Sequence, residues 1–291
     1  MYRVLRDFIS QQKWLDTVGE PLQNALNSFY NSENEQSPTR QLQNLLNGVW
    51  LGHPLHPMLT DVPVGAWTTT MVLDAVASLT DNESLETASD LSLATGLAGA
   101  LASAASGLTD WKDTYGEERT VGLLHGLSML TATLFYSGSL VARRAGSRST
   151  GVAFSTLGYA VLAAGAYFGG DEVYDIGYSV NRTAFQHGPG DYVPVMPAAD
   201  VQPGSLVKGD AKGVAVVLAN VEGHVYALDD TCVHAGCSLA GGKLNGYTVT
   251  CPCHFSQYDI RDGSVINGPA TMPEPSYEVR INAGVIEVKQ A

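Results

Sequence analysis

Four stretches of this 291-residue chain, 62–79, 91–108, 121–142 and 151–169, stay apolar over close to the roughly 20 residues that a helix needs to cross a bilayer core, and polar or charged residues bound each one. They are rich in Gly, Ala, Ser and Thr. Small side chains let membrane helices approach closely, so the expected product is a compact four-helix transmembrane bundle within residues 51–170. A water-soluble bundle is the alternative. It is disfavoured because the second and fourth stretches have no face polar enough for water.

The flanking segments set the domain plan. Residues 1–50 read as N-terminal amphipathic helices and a polar linker: Val4, Leu5, Phe8, Ile9, Leu15, Val18, Leu22, Ala25, Leu26 and Phe29 recur near helical spacing, Gly19-Glu20-Pro21 interrupts them, and 31–40 is polar. These helices suit either a membrane surface or another domain. No apolar signal-peptide core occupies the N-terminus, so export would rely on the spans. Residues 171–190 form a tether containing Gly188-Pro189-Gly190. Residues 191–291 then read as short strands (214–219, 225–228, 247–250, 277–281, 285–288) between turn residues. The fold class is multidomain α and β, a four-span bundle followed by a small antiparallel all-β domain.

All four cysteines lie in two boxes of that last domain, Cys232-Val-His234-Ala-Gly-Cys237 and Cys251-Pro-Cys253-His254-Phe-Ser256-Gln-Tyr258. Each box offers a thiolate and an imidazole, as C-x-H and as C-x-x-H, with sixteen residues between His234 and Cys251. A structural zinc ion also accepts two Cys and two His, but its motifs pair like ligands in knuckles. A c-type haem attachment needs C-x-x-C-H, and Cys251-Pro252-Cys253-His254 is one residue short. The boxes resemble the Rieske 2Fe-2S family, as do Val225-Tyr226-Ala227-Leu228, Asp262-Gly263 and Gly268-Pro269-Ala270, over roughly residues 191–289.

The resemblance implies that Cys232 and Cys251 hold one iron and His234 and His254 the outer one, with the two histidines as an exposed electron exit that could couple electron to proton transfer. As in the Rieske proteins of cytochrome bc complexes, Cys237 and Cys253 would form a disulfide, where two free buried thiols are the alternative. Low-potential Rieske ferredoxins usually lack that pair. Ser256 and Tyr258 match hydroxyl donors to cluster and cysteine sulfur, which implies a potential in the upper part of the Rieske range. Phe255 departs from the pattern, since it stands where those proteins usually have Gly.

A second group precedes and punctuates the spans: His53, His56, Asp61, Asp110 and His125. Here residues 40–170 resemble a family of uncharacterised four-span membrane domains with the same His-Pro-x-His-Pro signature, in some bacteria fused to a Rieske domain; Thr109-Asp110-Trp111 and His125-Gly126 belong to the likeness. Span parity brings the five residues to one depth, on the side of the β domain. Ionisable side chains at membrane depth are costly and mark functional sites, so a haem, a metal ion or a quinone is a candidate ligand. The plain alternative is an interfacial turn shaped by Pro54 and Pro57, whose histidines bond backbone groups freed by proline. Asp74 lies deeper. Arg143, Arg144 and Arg148 against Lys112 and Arg119 favour a cytoplasmic 143–148 loop by positive-inside counting, with a twin-arginine export signal at Arg143-Arg144 as the other reading. The disulfide points the same way, placing the β domain on the extracytoplasmic side.

The function expected from these features is a membrane-anchored electron-transfer protein, high in potential and linked to quinol or another redox protein at the membrane. An oxidoreductase with haem, metal or quinone in the bundle, and a non-catalytic redox sensor, are the alternatives. A net charge of −13 argues against nucleic acid. No segment has room for the further catalytic domain of a Rieske oxygenase.

Overall fold

A computed structural model describes residues 12–30 and 37–291. They form two units: one takes in 12–29 and 55–176, the other residue 30, 37–54 and 177–291. The expected apolar positions Val4, Leu5, Phe8 and Ile9 lie outside the described residues.

In the helical unit, α1 (Lys13–Tyr30) runs unbroken through Gly19-Glu20-Pro21, where the sequence predicts an interruption. A proline inside a helix removes a backbone bond and crowds the preceding turn, yet docking holds α1 together. Leu15 packs with Trp111 and Leu123. Gln23 Nε2 donates to the carbonyls of Trp111 (3.0 Å) and Thr114 (2.9 Å), and Asn27 Nδ2 to that of Lys112 (3.0 Å).

Four long helices follow: α3 (Leu55–Thr80), α4 (Glu83–Trp111), α5 (Gly116–Arg144) and α6 (Arg148–Asp171), which a π turn, Glu172–Ile176, extends. Residues 38–47 form α2, which belongs to the other unit. α4 packs on α3 and α5, and α6 on α5 and α3, so the helices close a ring in chain order with α3 and α5 on its diagonal. Three of them, α3, α4 and α6 with its extension, are long and apolar enough to cross a membrane. The expectation of four is thus met in three. α5 falls short because His125 and the Gly, Ser, Thr and Tyr residues between Val121 and Ala142 dilute its apolar run.

Three layers join α3 to α5 across the diagonal. The His56 and His125 rings lie 6.1 Å apart, Trp67 stacks on Tyr136 at 4.0 Å, and Asp74 pairs with Arg143. In every layer the α5 member stands 69 residues beyond its α3 partner. A second constant spacing relates α4 to α6: Gly96 meets Trp67 as Gly158 meets Tyr136, and Gly107 meets His56 as Gly169 meets His125. The unit is therefore two helical hairpins, α3–α4 and α5–α6, whose interior positions correspond as an internal structural repeat.

Asp74 is explained by this arrangement. A buried carboxylate must be paired, and it accepts from the Arg143 guanidinium, from Arg148 Nη2 (3.0 Å), and from Ser89 Oγ (2.6 Å). Arg143, with 1% of its side chain exposed, lies inside the bundle. Arg144, the next residue, is exposed.

The second unit is built on two antiparallel sheets. Six strands run in the order β1-β10-β9-β4-β3-β2: β1 (Val193–Pro197), β2 (Leu206–Ala211), β3 (Val214–Val221), β4 (His224–Asp229), β9 (Ser276–Asn282) and β10 (Val285–Gln290). The smaller sheet runs β5-β6-β7-β8: β5 (Lys243–Asn245), β6 (Thr248–Thr250), β7 (Gln257–Asp259) and β8 (Val265–Asn267). Side chains alternate along a strand, and β3 sends Val217, Ala219 and Val221 to one core and Val216 and Leu218 to the other. Both faces of the large sheet are thereby covered, and the first core, shared with the small sheet, also holds Cys232, Cys251 and Tyr258.

A helix that the sequence leaves as linker completes this unit. α2 (Pro38–Asn47) starts at the Ser37 cap, whose Oγ accepts from Arg40 N at 3.3 Å, with Pro38 at its first position. It lies along the edge strand β8, where Asn44 Nδ2 donates to Ile266 O (3.1 Å) and Gly268 N donates to Asn44 Oδ1 (3.0 Å). An edge strand has backbone groups to satisfy, and one asparagine closes two of them. Arg40 Nη1 reaches Gln257 Oε1 at 2.6 Å.

Candidate metal centre

The first box follows β4. Asp230, buried behind it, accepts from Ser238 Oγ (2.9 and 2.8 Å), Ala240 N (2.8 Å) and Lys208 Nζ (2.8 Å), and so fixes both ends of the loop. Within the loop Cys232 N donates to Cys237 O at 2.8 Å and Gly236 N to Cys232 O at 2.7 Å; Gly236 sits at φ +82°. The second box turns between β6 and β7, closed by Cys251 N donating to Ser256 O at 2.8 Å. Phe255 takes φ +63° with an exposed ring, so the residue in place of glycine adopts the left-handed conformation that a glycine would.

Cys237 and Cys253 form a disulfide, with Cα atoms 6.4 Å apart, that ties the two loops together. Cys232 and Cys251 are the thiols left, both buried. Tyr258, on β7 and fully buried, places its hydroxyl 3.2 Å from Cys232 Sγ. Burial, and then the neighbouring Cys232 and Glu274, hold the phenol well above its ordinary pKa, so it stays a donor. Ser256 Oγ accepts from Ala270 N at 3.0 Å, leaving its own proton to donate.

The rings of His234 and His254 lie 4.8 Å apart. They are 4% and 2% exposed, so the exposed exit expected from the sequence is not what the fold presents. Tyr178 packs edge-on against His234 at 5.4 Å and Arg182 N donates to Val233 O at 3.0 Å, so the supposed tether closes over the first loop. Burial, then the neighbouring His254 and Arg182, lower the His234 imidazole to about 3. It is neutral at ordinary pH, as a metal ligand must be.

Both ring nitrogens of buried His234 are without a hydrogen-bond partner among the described residues, which a bound metal would answer. The hydrogen bond from Cys232 lowers the Cys251 thiol, helped by the backbone N–H groups of Cys253 and His254, while the same bond and burial raise Cys232. Two buried thiols and two buried imidazoles on braced loops fit a Rieske cluster. Among the described residues no three His, Cys, Asp or Glu side chains gather as a single-ion site; two irons ask for two protein ligands each.

Sequence reading missed Glu274. Its Oε1 accepts from Val233 N at 2.8 Å, and burial pushes its carboxyl up to about 8. Nothing in Pro273-Glu274-Pro275 announces a buried carboxylate. Of the second group, His53 is exposed and bonds only locally to Pro54 O (3.1 Å), Asp61 is exposed, and Asp110 is half-buried on α4. Only His56 and His125 are brought together ring to ring.

Residues 191–278 match the family model "Rieske [2Fe-2S] domain", and residues 52–182 match "Predicted membrane protein (DUF2231)". Sulredoxin of Sulfurisphaera tokodaii is 38% identical, over 29% of this chain and 83% of its own length. Ferredoxin CarAc of Metapseudomonas resinovorans is 32% identical over 33% of this chain and 92% of its own. The 3-phenylpropionate/cinnamic acid dioxygenase ferredoxin subunit of Escherichia coli K12 is 36% identical over 31% of this chain and 85% of its own. These likenesses support a Rieske 2Fe-2S cluster as the cofactor and an electron-carrier or oxidoreductase-component role. Matched over most of the length of these relatives at above 30% identity, the chain belongs through its β domain to the Rieske [2Fe-2S] family, here joined to a predicted membrane domain.

Proposed function

We propose that the protein is a membrane-anchored one-electron carrier of high potential, in which Cys232 and Cys251 hold one iron of the cluster and His234 and His254 the other. When bound, the cluster supplies reversible one-electron transfer. The residues around it set the terms. Tyr258 donates to the Cys232 sulfur at 3.2 Å, the observation that carries the reading, because a donor at ligand sulfur favours the more negative, reduced state. The disulfide between the loops is a feature of the bc-type proteins rather than of low-potential ferredoxins, although the relatives found are ferredoxins.

Four spans are supported by connectivity. α4 and α6 are both of spanning character, and the short connections 112–115 and 145–147 leave α5 to return across the same thickness. The disulfide suits an extracytoplasmic β domain. Positive-inside counting supports the same orientation through Arg144, exposed at the 145–147 turn, whereas on the opposite loop Lys112 pairs with Asp113 and Arg119 with Asp16.

At that surface the donor is a quinol or a membrane redox partner of similar potential. The test is an EPR-monitored redox titration of the intact protein in detergent, followed by addition of a quinol. A midpoint in the upper part of the range of about −150 to +300 mV, with reduction by quinol, is expected. A midpoint near the bottom overturns the high-potential reading, and an unreduced cluster at adequate driving force overturns the quinol.

A further inference from the structure

We propose that His56 and His125 are the two axial ligands of a haem held within the helical unit. Each Nδ1 lies at hydrogen-bond distance from a carbonyl one helix away: His56 from Ser103 O at 2.9 Å, His125 from Gly165 O at 2.8 Å. A carbonyl can only accept, so each Nδ1 carries the proton and each Nε2 presents a lone pair. This is the tautomer of an imidazole poised to ligate, with its other N–H tied to a backbone carbonyl.

These bonds do not serve a proline-freed carbonyl. The residues one turn beyond the two acceptors are Gly107 and Gly169, which keep their helical N–H groups. The glycines have a different use. A Cβ on Gly107 would stand 2.7 Å from His56 Cε1, and one on Gly169 would stand 3.0 Å from His125 Cε1, so their absence seats the rings.

The two histidines are the same residue at the same place in the two repeats, with the same carbonyl partner and the same glycine. They converge on the interior from the diagonal helices α3 and α5, ring centroids 6.1 Å apart and planes at 86°. A metal about 2 Å from each of two facing imidazole nitrogens spaces the ring centroids by roughly 6 Å.

The identity of the group follows from what is missing around the pair. A bare zinc or iron ion wants at least four ligands, and among the described residues no third His, Cys, Asp or Glu joins these two. Two axial imidazoles complete an iron that brings its own equatorial donors, as the largely apolar porphyrin of a haem does in an apolar bundle. Neither His53 nor Asp61 takes part: both are exposed.

The experiment titrates the intact, detergent-purified protein with hemin and records optical and EPR spectra. About one hemin per chain is expected, six-coordinate and low-spin, with two imidazole ligands. His56→Ala and His125→Ala should each weaken hemin binding at least tenfold or leave a five-coordinate, high-spin spectrum, and His125→Met should keep six-coordination with a shifted Soret band. His53→Ala should bind as the parent does. Far-UV circular dichroism melts report folding of the helical unit in every variant and the cluster's own EPR signal that of the β domain, so loss of fold and loss of haem are separate outcomes. The proposal is overturned if the parent protein binds no hemin, or if the His56→Ala/His125→Ala double variant, with its cluster signal intact, binds hemin with the parent affinity and spectrum.

Discussion

Replacing Tyr258 by Phe isolates one hydrogen bond at the cluster. The ring is fully buried, so Phe keeps the packing and removes only the hydroxyl 3.2 Å from Cys232 Sγ. A hydrogen bond to a charged acceptor contributes about 1.5–3 kcal/mol and a neutral one about 1 kcal/mol. Reduction adds negative charge that the sulfur shares, so the bond strengthens by about 1 kcal/mol between the two states. A tenfold change in equilibrium is about 1.4 kcal/mol, or about 59 mV for one electron, so the midpoint should fall by about 40 mV. An EPR redox titration of parent and variant in the same detergent and buffer reads this directly. An unchanged or higher midpoint, with an unaltered oxidised absorption spectrum, would refute the assignment of Tyr258 as a donor to ligand sulfur.

Three other perturbations test separate parts of the structure. Removing the disulfide as Cys237→Ser/Cys253→Ser frees a loop of 16 residues and should cost about 3 kcal/mol, read as a lower temperature for thermal loss of cluster absorbance. Arg143→Ala leaves Asp74 buried without its main partner, and should destabilise the helical unit by about 3–5 kcal/mol in detergent melts while Arg144→Ala, at an exposed site, changes little. Asp229 is raised to about 6, chiefly by burial, although Tyr277 donates to it at 2.9 Å. The folded state therefore keeps a proton that the unfolded chain releases near pH 4. Its contribution is full below about pH 4 and is lost as pH rises through 6, by about 3 kcal/mol at most. Asp229→Asn, which can still accept from Tyr277, should flatten that fall when melts at pH 4.5 and pH 7 are compared.

The parts legible in the sequence were those where chemistry restricts residue type. Thiolates and imidazoles at fixed spacing have few uses, and the disulfide between Cys237 and Cys253 follows the same boxes. Apolar length gave α3, α4 and α6, and missed the polar cost of α5. α2 was invisible because its contacts are polar and remote: Asn44 meets Gly268 across 224 residues, and no local pattern encodes that. Tyr178 and Arg182 were hidden for a related reason, since a polar segment with turn residues reads as tether until something is seen to lie beneath it. Burial of His234 and Glu274 is a property of the assembled core, and a residue's type says little about it.

The internal repeat in the helical unit was hidden because its paired positions keep roles more often than letters. At the middle layer the roles are alike, Trp67 against Tyr136, and two aromatic rings stack well across a pseudo-twofold axis. At the far layer identity would be ruinous, since two buried carboxylates or two guanidiniums would repel at low dielectric; the repeats differ there, Asp74 against Arg143, and the pair becomes self-compensating. At the near layer the residue is the same in both halves, His56 and His125. Two identical polar rings on an axis gain nothing from each other that Trp67 and Tyr136 do not gain more cheaply. Retaining histidine in both halves, each with its Nδ1 bonded to a carbonyl, is favoured when something lies between them to be shared. Divergence at one layer and identity at another are thus the same physical rule applied to different contents of the axis. Hemin titration of His56 and His125 variants asks what the near layer holds.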